Sequence, residues 1–300
     1  MKNIVLVSLI LSLAAPPLLA QRPIGISYAE DMQGNTIFSC TNRAYCNYIL
    51  EIAFPTLENA QSDHPLPYRA EVKPGVTRLF KLTKQRAADP IQFKYKTGFF
   101  KGCINPKADT GFTYLLPISP GRTTQSYEIV SLPKENAGDP DAKNVYAVRM
   151  RMKPGDTIYA ARRGIVAEVD VSSNLNDSGV AGGSGNYIEI VHTDCSFGRY
   201  GVIKRNGSFV RPGQTVETGQ AIGLVGGDKY GRGSEIRLAV HYNQVIDRKD
   251  GDAGADVYWV YVPLKFWTKK NGKGMLKHGG TYTSEWPGAI LHNSPHKKKL

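Results

Sequence analysis

Beyond its first twenty positions, the chain of 300 residues lacks any apolar run near the roughly 20 residues that a bilayer-spanning helix needs. Between 36 and 130 it also lacks a segment with the length and period of an amphipathic helix. Histidine is absent from the whole interval between His64 and His192, so no imidazole ligand can come from there. No G-x-S-x-G with a matching His pattern occurs, which argues against a serine hydrolase of that type. The Gly-rich GVAGGSG at 179–185 is followed by neither Lys-Ser/Thr nor a helix start, so it reads as a mobile loop rather than a phosphate loop. Asp247, Asp250, Asp252 and Asp256 miss the EF-hand spacing: Gly251 precedes Asp252 and no closing Glu follows. They read as a solvated turn.

Cysteine is scarce, with Cys40, Cys46, Cys103 and Cys195 only. Four cysteines allow three connectivities, and sequence does not choose among them. Three of the four lie in the N-terminal half, so either one bridge crosses between the halves or two thiols stay free. A metal site from Cys40 and Cys46 is a weak reading, because the spacing is wide and no His lies close by.

What is present begins with an export signal. Lys2 precedes an apolar run, Ile4–Leu13, broken only by Ser8 and Ser12, and Pro16, Pro17 and Leu18-Leu19-Ala20 follow. This is the pattern of a secretory signal peptide over 1–20, cut after Ala20. The competing reading, a buried N-terminal helix, would be ended by Pro16 and Pro17. No Cys follows the cut, so no lipid anchor is expected there. Export to the periplasm or outside makes disulfides plausible. It leaves a chain with no transmembrane segment. The formal net charge is +12. Such a balance favours anionic partners, polysaccharide or lipid head groups, or serves solubility alone. Export argues against nucleic acid. His296-Lys297-Lys298-Lys299-Leu300 reads as a disordered end of a basic tail, 286–300.

Short alternating strands separated by Gly and Pro turns fill 36–130. Tyr48–Phe54, Glu71-Val72, Thr77–Leu82, Ile91–Tyr95 and Phe112–Ile118 are the clearest. They predict an all-β protein whose N-terminal domain, 21–135, is β-sandwich-like or a small barrel. The polar 132–143 (LPKENAGDPDAK) is the linker. In the second half, 155–169 reads strand, turn, strand. Strands follow at 186–192, at Thr215-Val216, at Ala221–Val225 and at Ile236–Tyr242. The aromatic cluster Tyr258, Trp259, Tyr261, Phe266 and Trp267 reads as packing, with sugar stacking as the alternative.

Four blocks of the second half carry a resemblance. They are YAVRMRMKPGDTIYAARRGIV (146–166), IVHTDCSFGRYGVI (190–203), VRPGQTVETGQAIGLVG (210–226) and GSEIRLAV (233–240). In this order they resemble the lysostaphin-like (LytM-domain) zinc metallo-endopeptidases, which cut peptide cross-links in bacterial cell walls. The resemblance covers roughly 144–243. It implies a LytM-type antiparallel β-sheet domain with a duplicated hybrid motif, extended here to 144–285. It further implies a zinc ion held by two His and one Asp, with assisting His residues nearby.

Carried over position by position, those slots hold other residues. The Asp ligand falls on Arg149, and the first His near Val145 or Tyr146. The last His ligand falls on Arg237, and the two assisting His on Glu235 and Val202. The resemblance thus implies a degenerate peptidase without zinc or catalytic residues. Its groove would be marked by Arg149, Glu235, Arg237, Val202 and Tyr146. Arg149, Glu235 and Arg237 are then either an internal ion-pair cluster replacing the metal or a site for a carboxylate or phosphate. Should zinc nonetheless bind, His192 and His241, with Asp194 near, are the ligands to expect. Three functions follow. The first is an inactive envelope pseudo-peptidase that binds peptidoglycan or another anionic envelope component, or regulates a partner. The others are an active endopeptidase with unusual ligands and a structural subunit of an envelope complex.

Overall fold

The computed structural model describes residues 22–129, 146–173, 185–227, 234–247 and 255–286. The expected signal peptide, the linker, most of the Gly-rich loop, Val145, Asp250, Asp252 and the tail beyond Trp286 lie outside them. Among the described residues every regular element is a strand, and no helix is long and apolar enough to cross a membrane.

In chain order the strands are β1 (Ile24–Glu30), β2 (Thr36–Asn42), β3 (Tyr48–Glu58), β4 (Ala60–Ser62), β5 (Tyr68–Val72), β6 (Gly75–Lys84) and β7 (Gln92–Lys101). Then come β8 (Thr113–Leu115), β9 (Thr123–Ile129), β10 (Ala147–Arg151), β11 (Thr157–Tyr159), β12 (Gly164–Asp170), β13 (Tyr187–Val191), β14 (Phe197–Gly201) and β15 (Ile203–Ser208). The last are β16 (Thr215–Val216), β17 (Ala221–Val225), β18 (Glu235–Asp247), β19 (Ala255–Tyr261), β20 (Lys265–Thr268), β21 (Gly272–Met275) and β22 (Thr281–Thr283). The all-β fold expected from short alternating strands is the fold observed.

The first seven strands make two sheets, β1-β2-β6-β4 and β5-β3-β7. Alternation explains their faces: Leu50 and Ile52 are buried while Glu51 between them is not. An aromatic cluster fills the space between the sheets. Phe38 stacks on Phe80 of its own sheet at 4.8 Å and meets Phe54 and Tyr95 of the other at 5.6 and 5.5 Å. This is sheet-on-sheet packing, with the core made by the inward residues of both layers.

The second unit is built on one long path, β16-β12-β13-β14-β18-β10-β9-β22, with β19 attached to β18. One face of it buries Ile188, Ile190, Tyr200, Val148, Met150, Ile236, Leu238 and Val240. Ile158, Ile222 and Val225, from the small sheet β11-β17-β15, close that core. The segment 113–129, assigned on sequence to the first domain, enters this second unit instead. β8 runs parallel to β20, and β9 pairs with β10 and β22. Tyr114, Leu116 and Ile118 carry it there, because all three are buried in the second core. β8 is also shorter than Phe112–Ile118. Pro117 has no N–H to continue a ladder, and its carbonyl accepts the Tyr159 amide at 3.1 Å.

A strap following β7 ties the units together. Cys103 is bridged to Cys195, with Cα atoms 6.1 Å apart. Asn105 accepts the Val245 amide at 2.8 Å, and the Asp109 amide donates to Asp194 at 2.9 Å. Of the pairings left open by sequence, one bridge crosses the halves and Cys40 and Cys46 remain buried thiols. Burial pushes the Cys46 pKa up to about 12, so the thiolate a metal would need is disfavoured.

Candidate functional site

The face of the long sheet opposite the core carries the polar chemistry. Ile236, Leu238 and Val240 of β18 point into the core, so Glu235, Arg237, Ala239, His241 and Asn243 share the other face. β10 pairs antiparallel with β18 and puts Arg149 directly opposite Arg237. β9 places Tyr127 opposite Arg149 on its other side, and β14 places Gly201 opposite Arg237. The row thus reads Tyr127, Arg149, Arg237, Gly201.

Two guanidinium groups directly opposite each other repel. Glu235, only 4% exposed, resolves the conflict. Arg237 donates from Nε to Glu235 Oε1 at 2.7 Å, and an Arg149 terminal nitrogen lies 3.9 Å from Oε2. The Tyr127 ring adds a second partner, 5.6 Å from the Arg149 guanidinium and 5.4 Å from that of Arg151. His278 packs edge-on against Tyr127 at 5.3 Å. Arg149 Nε is buried with no N or O partner among the described residues.

The other two residues of the inferred groove stand apart from this trio. Tyr146 packs in the core with Val148 and Met150, and burial pushes its pKa up to about 12. Val202 is buried just past the end of β14, with φ at 69°. That is a strained backbone for a β-branched residue. Its carbonyl accepts the Gly226 amide at 2.8 Å.

His192 and His241 occupy separate packings. His192 donates from Nδ1 to the Arg163 carbonyl at 2.8 Å, beside Gly164 and Gly198. His241 shares the face of Arg237, because the β14–β18 register is unbroken between them. Its ring lies between Phe197 at 5.7 Å and Trp259 at 4.6 Å. Trp259, expected as packing, does pack here. Asp194 is engaged by Arg162 at 2.9 Å and by the Ser196 hydroxyl at 2.7 Å. Burial opposes its charge, but the Asp109 amide, Ser196 and Arg162 outweigh it and hold its pKa at about 2. Among the described residues no three His, Cys, Asp or Glu side chains form a metal-binding group.

Burial lowers the pKa of both His192 and His241 to about 4, against 6.5 when free. Each is therefore neutral in the fold and protonates only on unfolding over that interval. The stability from keeping each neutral is full above pH 6.5 and is lost as pH falls towards 4. His241→Phe keeps the ring stack and removes one titration. Urea unfolding at pH 7 and pH 5.5 should then show a decline about 1 kcal/mol smaller than in the parent chain. An unchanged decline would mean that His241 does not titrate this way.

A second polar cluster on the same face was not anticipated. Glu189 lies directly opposite both Glu168 and Arg199, and is 2% exposed. Lys101, from the first unit, bonds Glu189 at 2.7 Å and also Glu168. Arg199 lies 3.7 Å from Glu189 and 3.5 Å above the Tyr187 ring, and the Tyr187 hydroxyl donates to Glu168 at 2.7 Å. The alternation of 187–191 marks Glu189 as sharing a face with Tyr187, but nothing in the sequence points to Lys101 as its partner.

As a zinc site, the residues inferred from the motifs do not fit. They offer one carboxylate, an indifferent valine and two guanidiniums that have no lone pair to donate. Two fixed positive charges beside a divalent cation would cost several kcal/mol in partly buried surroundings.

The antiparallel sheet and the order of the four motifs along it point to the class of domain. Residues 143–249 match the family profile of peptidase family M23, the LytM type, and this segment is an M23-family domain. A search of the curated proteins finds no match to this chain. Among solved structures, the catalytic domain of the prophage-encoded M23 protein EnpA from Enterococcus faecalis is similar at 19% identity. The match covers 44% of this chain and 87% of that one, with TM-score 0.27. Csd3 from Helicobacter pylori is similar at 14% identity over 72% of each chain, with TM-score 0.30. A chain of the SpoIIQ–SpoIIIAH pore-forming complex is similar at 16% identity over 48% of this chain and 87% of that one, with TM-score 0.28.

Proposed function

We propose that this M23 domain is a non-catalytic module of the bacterial envelope. It binds carboxylate-bearing cell-wall material, or another anionic envelope component, at the row formed by Arg149, Glu235 and Arg237. The supporting observation is the pairing of Arg149 with Arg237 around one buried carboxylate, where relatives of the LytM type are expected to hold zinc. Glu235 meets Arg149 only at 3.9 Å, and the planar fork of that guanidinium suits a second carboxylate or phosphate. The chain charge of +12 supports an anionic partner. The signal-like N-terminus supports export to the periplasm or the cell exterior. On this reading no cofactor is needed and zinc has been lost.

The deciding measurement is metal content by mass spectrometry after zinc saturation and dialysis, for the exported chain and for Arg149→Asp/Arg237→His. The parent chain should hold no zinc. Arg149→Ala/Arg237→Ala should lower retention on purified sacculi by about tenfold, equivalent to roughly 1.4 kcal/mol. Close to one zinc per parent chain would overturn the reading and make His192 and His241 the first ligands to test. Unchanged retention of the double alanine variant, together with a stable protein partner, would favour a structural subunit instead.

A further inference from the structure

At the opposite edge of the long sheet, a cleft of about 850 Å³ lies between the two units. It is lined by Tyr45 of the first unit and by Ser208, Phe209, Arg211, Pro212 and Gln214 of the second. Its neighbour in the sheet is β12, since the Gly213 amide bonds the Val166 carbonyl at 2.8 Å. β13, β14 and β18 separate β12 from β10. Four spacings of about 4.8 Å put the cleft roughly 19 Å from the strand of Arg149. It is therefore a separate site.

Three features give the cleft a chemistry. Tyr45 is 49% exposed and Phe209 is 52% exposed. Both rings are left about half open beside the polar side chains of the cleft. Secondly, the Tyr45 ring is held in place rather than loose. It lies so close over Gly213 that a Cβ there would stand 2.5 Å from the ring, and Gly213 has φ at 86°. Only glycine allows both the turn and the contact. Thirdly, Gln214 is oriented by its own loop. Its Oε1 accepts the Arg211 amide at 3.3 Å, which leaves its NH₂ to donate. The exposed Arg211 guanidinium has no carboxylate partner among the described residues.

We infer that this cleft binds an acidic pyranose oligosaccharide, with sugar rings stacked on Tyr45 and Phe209 and a carboxylate held by Arg211. The C–H face of a pyranose is apolar and weakly positive, and matches the negative face of an aromatic ring. An aliphatic acidic peptide offers no such flat face, while the guanidinium and the amide of Gln214 supply the few directed polar contacts a ligand site needs. The inference is independent of the role assigned to Arg149 and Arg237.

The test is isothermal titration calorimetry on the full chain in an Arg149→Ala/Arg237→Ala background, so that the arginine row cannot contribute. Tetragalacturonate, cellotetraose and tetraglutamate are the probes. Tetragalacturonate should bind, cellotetraose more weakly, and tetraglutamate not measurably. Phe209→Ala and Tyr45→Leu should each weaken tetragalacturonate by about tenfold. Arg211→Ala should reduce it to the level of cellotetraose. Phe209 is half exposed, so its variant keeps the fold even if Tyr45→Leu disturbs the packing on Gly213. Absence of binding by either sugar overturns the inference. So does an affinity unchanged in Phe209→Ala, or tetraglutamate binding as tightly as tetragalacturonate.

Discussion

Cys103→Ser/Cys195→Ser is expected to lower the unfolding free energy by roughly 4.5 kcal/mol, the value for a cross-link closing a loop of about 90 residues. The sequence separation is 92 residues, and the bridge joins the strap of the first unit to the turn after β13. Without it, the denatured chain regains the freedom of that whole loop, while the folded chain loses only one of several ties. Asn105, Asp109 and Arg69 still bond the second unit through Val245, Asp194 and Asp247. The folded form should persist at room temperature, with lower Tm and faster proteolysis within 101–109. Urea unfolding of both forms measures the difference. A loss under about 1 kcal/mol would mean that the denatured chain is already held compact by other contacts.

Lys101→Met should cost about 3–5 kcal/mol, the range for removing one partner of a buried ion pair. Glu168 and Glu189 face each other across β12 and β13, and like charges so placed repel. Lys101 arrives from the other unit and bonds both. Burial opposes its charge, but Glu189 and Glu168 outweigh this and raise its pKa above the usual ammonium range. Burial likewise opposes the Glu168 charge, while Lys101 and Tyr187 hold its pKa below the ordinary value. A carboxylate stabilised in this way contributes above its unfolded pKa, and the contribution is lost as pH falls through the folded value. The penalty of Lys101→Met should therefore be full at pH 7 and shrink only in acid. Lys101→Met/Glu189→Gln should recover part of the loss, because the amide removes the buried charge that faces Glu168. If the double variant were no more stable than the single one, Glu189 would not be the group that Lys101 neutralises.

Both large effects sit between elements far apart in sequence, and this marks the limit of what alternation reveals. Period-2 patterning is local, so Tyr48–Phe54, Thr77–Leu82 and 186–192 were legible as strands. So was the shared face of Glu235 and Arg237, two residues apart on one strand. The motif order further placed Arg149 beside Arg237, and the β10–β18 register sets them opposite each other. Tyr127 was not found, though its flanking residues alternate, because only the β9–β10 register makes it the partner of Arg149. Tyr146 was drawn into the groove by its place in the motif, but its side chain belongs to the core.

By itself, then, the sequence determined the strand-rich fold class and the M23-type second half. These are readable because they depend on residues close in the chain or on the order of short motifs. Tertiary structure alone decided which cysteines pair, that 113–129 packs with the second core, and that Lys101 neutralises Glu168 and Glu189. It also brought Tyr45 to Phe209 and Arg211 at one cleft. Each of these depends on how one sheet docks against another. That docking is set by the summed shape and burial of two cores, which no local period encodes.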